Sequence, residues 1–244
     1  MPSTYVYVYM ESTLRRLQTN IQRRFNKGCV DYQLLSDGDR ILIGLSGGKD
    51  SLMLVRLLAA RMRIYSPRIE VEAVHVMMDN IAYQTDGEYL ENFCAQIGIK
   101  LHLIHTRFDV REENSKSPCF LCSWYRRKAL FEFAVEHGFN KVALGHHQDD
   151  ILVTYLMNLT FEGSAHSMPP MLQMEHYPLQ IIRPMCLVHE EDIEQMAQLL
   201  EFRKLKKLCP YDKETRRADI KAVFHQLQRL NPEARYSLWR ALMK

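Results

Sequence analysis

One segment concentrates the groups that phosphate chemistry needs. After the apolar run Ile41-Leu42-Ile43 the chain reads Gly44-Leu45-Ser46-Gly47-Gly48-Lys49-Asp50-Ser51 and then enters an apolar helical pattern. Glycines permit positive φ and close approach of a ligand to the backbone. The helix start that follows offers N–H groups without intrahelical partners and a favourable dipole. One cation, Lys49, and two hydroxyls, Ser46 and Ser51, complete an anion cradle. Two familiar phosphate loops do not fit. A G-x-x-x-x-G-K-S/T loop would need Gly where Ile43 stands and Ser or Thr where Asp50 stands, and G-x-G-x-x-G would need Gly at Ser46.

A second polar constellation, Gly145-His146-His147-Gln148-Asp149-Asp150, follows the short apolar run Val142-Ala143-Leu144. If that run is a parallel strand, the constellation faces the crevice at the carboxyl end of the sheet, where such folds bind ligands. Asp149 and Asp150 would equally suit the cap of the next helix. Asp79, closing the second expected strand, would reach the same crevice.

The cysteines form a third group. Cys119-Phe120-Leu121-Cys122 puts two thiols one turn apart at an expected helix start. A redox pair would normally sit on the first βα unit of a small fold, and a zinc ribbon would want a second C-x-x-C, which this chain lacks. A mixed zinc site drawing on His146 or His189 stays open. An iron–sulfur cluster can be held by three thiolates with one iron left free, and Cys209, in the basic stretch Lys206-Lys207-Leu208-Cys209-Pro210, is the best third ligand. Cys29, Cys94 and Cys186 lie among apolar neighbours and read as core.

The elements that must position these groups follow from periodicity. Ile41–Ile43, Val71–Val76, Leu101–His105 and Val142–Leu144 read as strands, with helical spacing over Ser51–Met62, Asp86–Ile97 and Cys122–His137 between them. That alternation predicts an α/β fold, a parallel sheet with helices on both faces. Before it lies a helix with Leu14, Leu17, Ile21 and Phe25 on one side. After it come a Pro- and Met-rich connector, a short strand near Gln180–Arg183 and two or three helices. The expected organisation is a basic helix and linker (1–39), a nucleotide-binding core (40–185) and a helical segment with the third cysteine (186–244), in one compact unit.

Composition sets the frame. The chain has 244 residues, 47% hydrophobic and 25% charged, which argues against disorder and coiled coil. It has no apolar run of membrane-spanning length and no secretory leader pattern, and its six cysteines are too few for a disulfide scaffold. No membrane association and a reducing, cytoplasmic setting are expected. The net charge of +3 is small, but Arg203–Arg229 carries nine Lys or Arg against Asp212, Glu214 and Asp219. Arg126-Arg127-Lys128 and the arginines of the first helix add two further clusters, which would bind a polyanion if they converge.

Ser46-Gly47-Gly48-Lys49-Asp50-Ser51 resembles the signature of the PP-loop ATP pyrophosphatases, a Rossmann-type, adenine-nucleotide alpha-hydrolase-like fold. The ordered set of that loop, Cys119-x-x-Cys122-Ser-x-x-Arg126-Arg127, Gly145-His146-His147-x-Asp149-Asp150-Ile151, Met168-Pro169-Pro170 and Ile182-Arg183-Pro184 resembles the tRNA 2-thiocytidine synthetase group of cluster-dependent tRNA thiolases over about residues 40–212. The resemblance implies an ATP-dependent tRNA sulfurtransferase, forming AMP and pyrophosphate, with ATP, Mg2+ and a 4Fe-4S cluster as cofactors. Ser46, Gly47, Gly48, Lys49 and Ser51 would hold pyrophosphate, with Asp79, Gly145 and His146 completing the nucleotide site. Asp50, Lys49 and Asp150 would serve catalysis, Cys119, Cys122 and Cys209 the cluster, and Arg126, Arg127, Lys204, Lys206 and Lys207 the RNA. Expected partners are tRNA and a sulfur donor (a cysteine desulfurase or free sulfide), with a homodimer left open. A lysidine-type ligase would not need the three cysteines, and a nucleotide-binding redox sensor would not need the basic surface. In this chain Lys206 stands where relatives often carry an additional cysteine, and the terminal C-x-x-C pairs of zinc-finger-bearing thiolases are absent.

Overall fold

The computed structural model describes residues 4–79, 86–108, 117–203 and 216–243, with side chains from residue 11 onward. Cys209, Lys204, Lys206 and Lys207 lie outside the described residues. The element order is α1 (Thr4–Asp31), β1 (Asp39–Gly44), α2 (Lys49–Met62), β2 (Ile69–Met78), α3 (Gly87–Ile97), β3 (Lys100–Thr106), α4 (Pro118–Glu136), β4 (Lys141–Ala143), α5 (Gln148–Met157), β5 (Met171–Gln173), β6 (Gln180–Ile182), α6 (Glu190–Leu199), α7 (Arg216–Leu230) and α8 (Ala234–Leu242). A short π-helical stretch, Asn158–Glu162, follows α5. Among the described residues no helix is long and apolar enough to cross a membrane.

The sheet runs β3-β2-β1-β4-β6-β5. Every neighbouring pair is parallel except β5–β6, whose antiparallel pairing the sequence did not predict. Ile41, Leu42 and Ile43 are all fully buried, as expected for a strand covered on both faces. Ile41 and Ile43 join Val71 and Ala73 in a core with α1, α2, α3 and α6, while Leu42 joins Val74, Val142 and Ile181 beneath α4. The first helix therefore lies on the face opposite α4. Its stripe Leu17, Ile21, Phe25 and Cys29 repeats every four residues and is buried.

The cysteine helix begins earlier than the apolar spacing suggested. Ser117 accepts a hydrogen bond from the Phe120 N–H at 3.3 Å, and Pro118 occupies the first turn, so the cap starts α4 at Pro118 rather than Cys122. Beyond the sheet, α5 packs Leu152 and Val153 against Ile220 and Phe224 of α7. Sheet order reverses between β1 and β4, the switch point at which doubly wound sheets open a crevice.

Candidate active site

At the carboxyl end of β1, Gly47 takes φ +82°, a conformation that only glycine adopts without strain. Gly48 caps α2 from an extended conformation with no side-chain hydrogen bond, and the first intrahelical bond runs from Leu52 N–H to Gly48 O. The cap is thus left to backbone amides. Ser46 Oγ stands 3.1 Å from Ser51 Oγ and accepts from Gly48 N–H at 3.3 Å, and Ser51 Oγ donates to Gly48 O at 2.9 Å. This is an anion-sized turn whose hydroxyls fix the loop. From β2, buried His75 sets its Nδ1 2.7 Å from the Leu45 carbonyl, a support that the sequence did not reveal.

β4 supplies the opposite wall. A Cβ on Gly145 would lie 3.1 Å from Ser51 N and 3.2 Å from Asp50 C, both backbone atoms. Gly145 therefore lets the second motif close onto the first turn of α2. His147 caps α5, accepting from Asp150 N–H while Asp150 accepts from His147 N–H, both at 3.3 Å. The cap is His147, not the aspartates. Its Nε2 lies 3.4 Å from Asp150 Oδ2 and 3.7 Å from Asp50 Oδ1, which joins the two loops.

An ionic frame surrounds this crevice. Lys49 Nζ bonds Asp50 Oδ1 at 2.8 Å and lies 3.5 Å from Glu190 Oε1. Burial opposes the Lys49 charge, but Asp50 and Glu190 outweigh it and raise its pKa. Lys221 of α7 bonds Glu190 at 2.7 Å, and Arg217 of α7 bonds Asp150 Oδ1 at 2.6 Å. Burial disfavours ionised Asp150, while His147 and Arg217 hold its pKa down. Asp149 receives both Nη atoms of Arg235 at 2.7 and 2.8 Å and the Glu190 N–H at 2.9 Å. Against the penalty of burial, Arg235 keeps that carboxyl at about 2. Glu190, Arg217, Lys221 and Arg235 escaped the sequence reading. Arg217 and Lys221 belonged to the basic run expected to bind a polyanion if the clusters converge; half-buried, they pair with carboxylates of the crevice. Arg203, which stays exposed, pairs with Asp86 at 2.8 Å.

Two further motifs clamp each other. Arg183 donates its N–H to Pro170 O at 2.8 Å and its Nη1 to Pro169 O at 2.5 Å, tying Ile182-Arg183-Pro184 to Met168-Pro169-Pro170. Burial lowers Arg183 to about 10. Burial, with the Arg183 charge beside it, presses His146 down to about 4. His189, at the cap of α6, is held at about 4 by burial and by Arg235 and Arg24. Asp79, at the carboxyl end of β2, meets His105 at 2.6 Å on the open side of the crevice.

Cys119 is exposed, and Cys122 is buried with Leu121 against Met78 of β2 and Phe108. Both stand on the first turn of α4, at the carboxyl edge shared with the phosphate loop. Among the described residues no group of three His, Cys, Asp or Glu side chains is arranged to hold a metal ion. Cys29, Cys94 and Cys186 are buried, and burial lifts the first two thiols to about 12 and about 11, as packing residues require. Arg126 and Arg127 sit two turns into α4, and Arg127 binds back to Ser123. Because α1 covers the other face of the sheet, its arginines do not join them on one helix layer.

The loop, the sheet order and the crevice define an adenine-nucleotide-type α/β protein, and the chain belongs to the PP-loop domain family, which it matches over residues 16–227. It is 34% identical over 232 residues to the tRNA-cytidine(32) 2-sulfurtransferase of Cellvibrio japonicus, an alignment covering 93% of this chain and 76% of that protein. The protein of the same name from Methylococcus capsulatus is 32% identical, with 93% and 80% covered. Among solved structures, the U34-tRNA thiolase of Methanococcus maripaludis with its 4Fe-4S cluster superimposes with a TM-score of 0.72 at 26% identity, covering 97% of this chain and 79% of that one.

Proposed function

We propose that this protein is an ATP-dependent tRNA sulfurtransferase of the cytoplasm that converts a tRNA cytidine to 2-thiocytidine. The observation that carries the reading is the placement of a glycine-rich anion turn and a C-x-x-C pair on one carboxyl edge of one sheet. The relatives named for this reaction on tRNA support it.

The residues fit the groups the reaction needs. A turn with one positive-φ glycine, two hydroxyls and a helix start without a side-chain cap suits a polyphosphate. Asp50 and Asp150, on the first turns of α2 and α5, are the carboxylates that would hold Mg2+. Cys119 and Cys122 would hold a 4Fe-4S cluster together with Cys209, and Asp79 and His146 would border the nucleoside. When bound, ATP supplies the adenylyl group that makes the base oxygen a leaving group, and the cluster supplies the sulfur that replaces it. This chain's part is positional and electrostatic. Lys49 is poised between carboxylates and is free to exchange one of them for phosphate oxygens. Arg217 and Lys221 neutralise Asp150 and Glu190, so the site keeps its carboxylates ionised without repelling the polyphosphate. Arg126, Arg127, Lys204, Lys206 and Lys207 would hold the RNA backbone. A cysteine desulfurase or free sulfide would renew the sulfur, and a homodimer is compatible with this scheme.

The test is mass spectrometry of tRNA nucleosides with and without the gene. Loss of 2-thiocytidine, restored by the parent but not by Cys119→Ala, is the expected result. An unchanged nucleoside profile overturns the proposal.

A further inference from the structure

We propose that Trp124, with Phe120 one turn before it, is a stacking platform for an unpaired nucleobase of the RNA substrate. This rests on the tRNA-thiolation reading and adds a contact to it, directly beside the cysteine pair.

The first two turns of α4 have two distinct sides. Leu121 and Cys122 pack inward on Met78 and Phe108, whereas Cys119, Phe120, Ser123, Trp124 and Arg127 face outward. Phe120 is 45% exposed and Trp124 43%, leaving apolar ring surface open to a ligand. They stand at i and i+4, so their faces form one surface on the helix. The Trp124 ring is also braced. Tyr125 meets it edge-on at 4.8 Å, Tyr125 stacks on Phe108 at 6.1 Å and 23°, and Phe108 is buried. A ring held from the core in this way loses little freedom when a ligand stacks on it.

Charge selects the occupant. Lys128 Nζ lies over one face of the Trp124 ring, 5.5 Å from its centroid, and leaves the other face to a base; Arg126 and Arg127 stand on the same helix. Cations beside exposed aromatic faces suit a base and its phosphates, because every base has a π-face and each nucleotide one negative charge. Duplex bases are already stacked, so the ligand is a base from a loop or an end. A protein partner is the competing occupant.

The chain has only two tryptophans, Trp124 and Trp239, and Trp239 donates Nε1–H to Tyr32 Oη at 3.0 Å, away from α4. Intrinsic fluorescence therefore reads Trp124 directly. The 244-residue chain is titrated with an unmodified tRNA transcript and with a blunt-ended RNA duplex, while anisotropy of labelled RNA reports binding independently. The transcript should quench the parent and leave the fluorescence of Trp124→Phe, which retains only Trp239, unchanged. Trp124→Leu should bind the transcript roughly 5- to 150-fold more weakly, the range for one stacked base, with ATP binding intact. Trp124→Phe should lose less affinity than Trp124→Leu. Binding of the transcript without quenching, equal quenching by the duplex, or full affinity in Trp124→Leu overturns the platform while leaving tRNA thiolation standing. A parent that binds no tRNA overturns the underlying reading and the platform with it.

Discussion

The two ends of the sheet carry the same kind of ion pair and use it differently. At the amino end Lys141 Nζ bonds Asp39 at 2.7 Å and Leu34 O at 2.9 Å, and Asp39 also accepts from Ser36 N–H and Asn140 Nδ2. Both side chains are only 4% exposed, and four hydrogen bonds tie the pair into the fold. At the carboxyl end Lys49 bonds Asp50 at a similar 2.8 Å, but the two are 29% and 30% exposed, and Lys49 shares Glu190 with Lys221. The enclosed pair can only hold the fold. The shared pair can trade a partner for a ligand without leaving a buried charge bare. Behind it, Asp149–Arg235 is again buried, anchoring α8 to the crevice wall.

The largest effect should come from the amino end. Lys141→Met leaves the Asp39 carboxylate buried without its cation, which costs about 3–5 kcal/mol. Urea denaturation should show that loss while the folded fraction binds ATP normally; a loss below about 1 kcal/mol would erase the contrast. Lys49→Ala should do the reverse. Turnover should fall about 10²- to 10³-fold with stability changed by less than about 1 kcal/mol, as measured by AMP formation and thermal melting of the same preparation.

Gly145→Ala tests whether the crevice walls need to touch. Its new Cβ meets backbone at 3.1 Å, so α2 must shift, at about 1–3 kcal/mol of stability, and ATP affinity should fall even though no ligand-facing group has changed. Parent-like ATP affinity in that variant would sink the close-approach account. The most gradual effect is in pH. His146 and His189 stay neutral in the fold down to about 4, whereas an unfolded histidine takes up its proton near 6.5. Between those values the unfolded state binds more protons, so stability falls as pH drops, by up to about 1.4 kcal/mol per pH unit for each ring. His189→Asn, which keeps a polar side chain at the α6 cap, should flatten the slope measured by denaturation between about pH 5 and pH 7; an unchanged slope would show that His189 does not contribute to it.

Much of the site was legible because its signals are local. Gly47 is needed where one residue requires positive φ, and three consecutive buried residues, Ile41 to Ile43, announce a strand covered on both sides. The cysteine pair declared its own helix start, though Ser117 and Pro118 moved that start four residues upstream of Cys122. Within the basic run after Arg203 the sequence did not show which cations meet carboxylates, since an arginine in an amphipathic helix looks the same whether it meets water or a carboxylate. Arg217 and Asp150 are 67 positions apart, and Arg235 and Asp149 are 86 apart. No periodicity reports such pairings.

The amino-acid sequence alone determined the α/β alternation, the phosphate turn and the core cysteines, because each follows from backbone conformation or burial within a few residues. Only the tertiary structure decided which cations neutralise which carboxylates, that Gly145 is a contact point, that His147 is the cap and that β5 pairs antiparallel. Those outcomes depend on distances between segments far apart in the chain, which are set by how helices pack on the sheet and not by any residue's own preference.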